Sequence, residues 1–85
     1  MATLIHFVAS WASAICDPHR REVATAAAEL GLEVVEIDVD DDQDTARLFH
    51  VMNVPSVALG GFPESTVVGA VASKGLVKRL RPFIV

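Results

Sequence analysis

Thr-Leu-Ile-His-Phe-Val-Ala, residues 3–9, is a nearly continuous apolar run with β-branched and aromatic content. That pattern suits a strand covered on both faces, so a central place in a sheet is expected. Asp17 followed by Pro18 is a helix-start signal, because Asp caps free amides and Pro is tolerated in a first turn. Val23, Ala26, Ala27 and Leu30 then recur at helical spacing, and Gly31 supplies the stop. Residues 32–40 carry the branched side chains of a second strand and run into an acidic loop, where Asp42 or Asp44 can cap a second helix. Ala46, Leu48, Phe49 and Val51 give that helix its apolar side, with an end near Asn53 and with His50 as a surface or packing residue on it. Residues 55–62 and 65–71 read as two strands joined tightly, with Gly60, Gly61 and Pro63 as turn signals. Ser73 then caps an amphipathic helix with Leu76, Val77, Leu80 and Phe83 inward and Lys74, Lys78, Arg79 and Arg81 outward.

The resulting order is β-α-β-α-β-β-α, an α/β fold whose βαβ start implies a parallel strand pair with a right-handed crossover. No repeat, linker or low-complexity stretch divides the chain, and residues 1–85 are expected to form one domain. With 52% hydrophobic and 21% charged residues it is too apolar for a disordered chain. A net charge of −4 speaks against nucleic acid as a partner, since counterion release needs clustered Lys and Arg. The amino-terminal residues have no basic start and only a short apolar run, so neither a signal peptide nor a membrane span is expected. With one cysteine, Cys16, no intramolecular disulfide can form, and a cytoplasmic monomer without a cofactor is expected.

The run Asp38, Asp40, Asp42 and Asp44 superficially matches a calcium loop. Gln43 occupies the position that requires Gly, however, and Phe49 the position of the bidentate Glu. Strand end, turn and helix cap account for these aspartates, and no metal site is expected.

Three stretches in order resemble the thioredoxin family. They are "FVASW" at the end of the first strand, "VVEIDVDDDQDTARLFHVMNVPS" across the second strand and helix, and "VVGAVASKGLVKRL" at the end of the chain. The resemblance covers nearly the whole chain and implies a thioredoxin-like minimal core: a four-stranded mixed sheet with three helices, lacking the first strand and helix of longer members. The family's chemistry needs Cys-x-x-Cys at a helix N-terminus, where free amides and the helix dipole favour a thiolate and a second thiol resolves the mixed disulfide. Here the motif is degenerate, and three registers are open. Alignment on "FVASW" puts Ala12 and Ile15 in the cysteine positions. Alignment on helix faces matches "SAIC", so that Ser13 replaces the attacking thiol and Cys16 keeps the resolving one. A third matches "CDPH", giving Cys16 the attacking role and His19 the other slot, at the cost of nearly a turn of helix. The second is preferred, and it places Cys16 in the first turn with its sulfur covered and Ser13 more exposed.

The same resemblance assigns a cis bond to Val54-Pro55, which leaves the Val54 backbone free to pair with an extended peptide. Trp11, Val54, Pro55, Val68, Gly69 and Ala70 match the family's apolar partner-binding surface. His6 lies where the family carries a buried acid and is read as a neutral core histidine, with a role as proton partner of Cys16 as the alternative. Cys16 is read first as a small semi-buried residue, with slow monothiol chemistry and regulatory oxidation as the other readings. The function expected is that of a degenerate thioredoxin-like protein that binds a protein or peptide at the Trp11 and Pro55 surface. The alternative is a monothiol oxidoreductase that uses Cys16 with an external thiol such as glutathione, and a third reading is a structural domain.

Overall fold

The computed structural model describes residues 2–84. Strand β1 (Thr3–Val8) leads through a single 3-10 turn (Ser10–Ala12) into helix α1 (Ser13–Leu30), strand β2 (Glu33–Asp38) and helix α2 (Gln43–Leu48). Strands β3 (Ser56–Leu59) and β4 (Phe62–Val68) and helix α3 (Ser73–Leu80) complete the chain, with a last 3-10 turn at Arg81–Phe83. The sheet has the order β2-β1-β3-β4, with β1 parallel to β2 and antiparallel to β3. It is the four-stranded mixed sheet with three helices expected of a thioredoxin-like α/β fold. Among the described residues no helix is long and apolar enough to cross a membrane.

Alternation along β1 sends its side chains to two cores. Leu4 joins Val57, Leu59 and Val67 beneath Val23, Ala26 and Ala27 of α1 and Leu76, Val77 and Leu80 of α3. Ile5 and Phe7 pack on the other face with Ala58 and Phe49, whose ring lies 5.6 Å from that of Phe7. The second strand is less covered, for Val34 and Val35 both stay exposed on their opposite faces.

Several local expectations are corrected. Helix α1 starts at Ser13, not at Asp17, and Pro18 lies inside it. The Ser10–Ala12 turn already winds the chain, with the Ala12 amide bonded to the Ala9 carbonyl, so the helix begins a turn before the Asp-Pro signal. Helix α2 stops at Leu48 rather than near Asn53, and Leu48 is 63% exposed instead of inward. His50 lies beyond that helix in the left-handed region at φ 56°, where the Val51 amide closes back on Ala46. Asp42 does cap α2, through its bonds from the Thr45 amide and hydroxyl, and those bonds hold its carboxyl below the usual range. Pro63 belongs to β4 and not to the turn, which is the Gly60-Gly61 pair between Leu59 and Phe62. At the edge of the sheet a missing N–H costs no ladder bond. Ser73 is the first residue of α3 and its side chain caps nothing; its amide is capped instead by the Glu22 carboxylate of α1 at 2.8 Å.

Candidate functional site

Of the residues singled out from sequence, Trp11 and Val54 line one concavity and Ser13 and Cys16 another, on either side of the Ser10–Ala12 turn, while Pro55, Val68, Gly69 and Ala70 line neither. The first is a small groove of about 60 Å³ lined by Trp11, Val39, Val51, Met52, Asn53 and Val54. Trp11 is 72% exposed and Met52 is 85% exposed. The indole is nonetheless held in place, because its Nε1–H donates to Asp40 Oδ2 at 3.1 Å. The Val54-Pro55 bond is cis. Pro55 itself is buried, and its carbonyl accepts from the Gly69 amide at 2.9 Å while Ser56 pairs with Val68. Val68 and Gly69 therefore flank Pro55 through β3, and Ala70 follows them on the surface. Among the described residues no backbone hydrogen bond engages Val54.

Ser13 and Cys16 open into the second concavity, a cavity of about 620 Å³ lined also by Val8, Ala9, Ser10, Asp17, Arg20, Glu36, Asp38 and Asp41. Ser13 is exposed at the first position of α1, whereas Cys16, fourth in the helix, is only 1% exposed. The parallel register explains why charge gathers here. Val8 faces Asp38 and His6 faces Glu36 across β1 and β2, so these side chains share the side of the sheet that α1 covers. Arg20, one turn beyond Cys16, reaches down to Glu36 with two bonds of 2.7 Å and to Asp17 with one of 2.8 Å. The bonds from Arg20 hold the Glu36 carboxyl below its ordinary value.

Behind this cavity lies a buried pair that the sequence reading joined in no register. His6 Nε2 is 3.1 Å from His19 Nδ1, and His19 Nε2 is 2.8 Å from the Val71 carbonyl. A carbonyl only accepts, so Nε2 of His19 carries a proton. In the uncharged pair, Nε2–H of His6 then donates to Nδ1 of His19, and Nδ1 of His6 keeps its lone pair 3.7 Å from Glu36. Burial first, and then the neighbouring His19, lower the His6 pKa to about 4, although Glu36 pulls the other way. His6 is thus a neutral core histidine at physiological pH, and its hydrogen bond goes to His19 rather than Cys16.

Sequence reasoning missed Asp17, Arg20, Glu36 and Asp41 as members of a common cavity, and Val39, Val51, Met52 and Asn53 as groove walls. The contacts join residues on different elements, and no local spacing marks them. One signal was present: the "CDPH" match brought His19 into view, but for the second cysteine position. Among the described residues, no group of three or more His, Cys, Asp or Glu could hold a metal ion.

The thioredoxin of Mycobacterium tuberculosis is 35% identical to this chain over an alignment that covers 95% of it and 72% of that relative. The chain belongs to the thioredoxin family. No protein-family model matches it. Solved structures agree on the thioredoxin fold. A malarial protein superposes with a TM-score of 0.75 at 21% identity, covering all of this chain and 99% of that one. Mitochondrial thioredoxin 3 of Saccharomyces cerevisiae gives 0.65 at 24% identity over 95% and 77% of the two chains. The chain holds a single cysteine, Cys16, and therefore no Cys-x-x-Cys motif.

Proposed function

We propose that this thioredoxin-family chain is a binding module that takes an extended segment of a protein partner in the groove beside Trp11. One observation carries the reading: an aromatic side chain, 72% exposed, stands over a groove next to a residue, Val54, whose backbone N–H and C=O are unpaired. Unpaired strand groups can add a partner strand, and a large apolar ring fixed by one hydrogen bond is the type of side chain that dominates protein recognition. Val68, Gly69 and Ala70 lie along the other flank of Pro55 and would bound the same ligand. Dithiol cycling has no second thiol to work with. The monothiol reading asks Cys16 to meet a disulfide, and a sulfur that is 1% exposed must first be uncovered by local opening.

The test is peptide selection from a random displayed library, followed by titration of the selected peptide into ¹⁵N-labelled protein. Shifts are expected at Trp11, Met52, Val54 and Gly69, and Trp11→Ala should weaken binding at least about tenfold with little change in thermal midpoint. Shifts confined to α3, or full affinity in Trp11→Ala, would remove the basis of the proposal.

A further inference from the structure

Resting on that reading, we infer that the partner segment carries a basic residue beside its apolar part, and that this Lys or Arg side chain lies in the cavity next to the groove. The two concavities lie side by side, sharing no lining residue but walled by adjacent residues of the same two segments. Trp11 and Val39 wall the groove, while their chain neighbours Ser10 and Asp38 wall the cavity, and the Trp11–Asp40 hydrogen bond ties the two segments together. A strand running along the indole passes from one to the other.

The charge of the cavity is one-sided. Asp17, Glu36, Asp38 and Asp41 line it against a single cation, Arg20. Both Glu36 oxygens and one Asp17 oxygen are engaged by that guanidinium. Asp38 accepts from the Asp40 amide through one oxygen, and among the described residues no donor meets its other oxygen or the Asp41 carboxylate. Nearby His6, with its pKa lowered to about 4, adds no positive charge at neutral pH. Of the seven Lys and Arg residues, four lie in positions 74–81, away from this loop in sequence. A volume of about 620 Å³ is ample for a long cationic side chain, whose methylenes can lie against Val8 and Ala9 while its head meets Asp38 and Asp41. The groove thus supplies apolar contact and strand pairing, and the cavity selects charge.

The experiment follows Trp11 fluorescence of the full chain on titration with three synthetic peptides. They share one valine-rich, strand-forming core and differ only in flanks of Lys, Gln or Glu. The Lys peptide is expected to bind about tenfold tighter than the Gln peptide and the Glu peptide more weakly than either, with the Lys advantage shrinking in high salt. In the double variant Asp38→Asn and Asp41→Asn, the Lys advantage should collapse while affinity for the Gln peptide is kept. Equal binding of the Lys and Gln peptides, or a Lys advantage that survives in the double variant, overturns this inference and leaves the groove reading standing. Binding of none of the three overturns both. Sedimentation of the chain alone as a dimer that Trp11→Ala dissociates would give the groove to a second copy and also overturn it.

Discussion

His6 shows how much one side chain depends on its neighbours. Its ordinary pKa of 6.5 is lowered to about 4 by burial and by His19, because the proton it would gain cannot be hydrated and would sit next to a second imidazole. The unfolded chain therefore takes up this proton at higher pH than the folded one. Stability is fully present above pH 6.5 and is lost as the pH falls from there toward 4, by about 2 kcal/mol between pH 7 and pH 5. Glu36, held below its usual range by Arg20, adds a loss of the same sign at lower pH. Urea unfolding at pH 7 and pH 5 checks this, with His6→Gln as the control that keeps a donor for His19 and removes the slope. A wild-type midpoint equal at the two pH values would contradict the assignment.

At the scale of elements, α1 is the one that carries a conflict. Pro18 occupies its sixth position, where it lacks the amide that would bond to the Ala14 carbonyl. Pro18 and Ala14 are both exposed, so water reaches the orphaned carbonyl and the penalty stays at the low end. Set against the greater freedom an alanine gains in the unfolded chain, Pro18→Ala should stabilise the protein by about 1–2 kcal/mol. Thermal or urea unfolding reads this directly, and a destabilised variant would show that Pro18 is held by packing. The far end of the same helix follows the sequence closely: Gly31 adopts φ 70°, and the amides of Gly31 and Leu32 close on Ala28 and Ala27. The start could not be read so well, because the Asp-Pro signal is strong locally and the earlier turn at Ser10 carries none.

The whole molecule places its single thiol, Cys16, in the first turn of α1 and covers it. In the dithiol cycle, release of a reduced product requires a second thiol on the same chain to close an internal disulfide. In an insulin-reduction assay with dithiothreitol, this chain is expected to give no turnover beyond the reductant alone, and Cys16→Ser should behave like the wild type. Full turnover abolished by Cys16→Ser would show that an external thiol completes the cycle. The sheet that organises these positions is uneven: β1 and β3 are buried, while β2 leaves Val34 and Val35 to solvent on both faces.

Periodicity determined the elements of this protein, since apolar side chains at spacings of two or of three to four can be buried together only on a strand or a helix. The order β-α-β-α-β-β-α, the Gly60-Gly61 hairpin and the Asp42 cap rest on contacts within a few residues and were legible for that reason, while the central place of β1 was legible from its unbroken apolar run. So were the family motifs that point to Trp11 and Pro55. Tertiary structure alone decided which charges meet. Glu36 comes to Arg20 and His6 through the parallel register of β1 and β2, His19 bonds to Val71 across 52 positions, and Glu22 caps α3 across 51. Partners that far apart leave no periodic trace, because their meeting depends on how helices lie over the sheet rather than on any spacing along the chain.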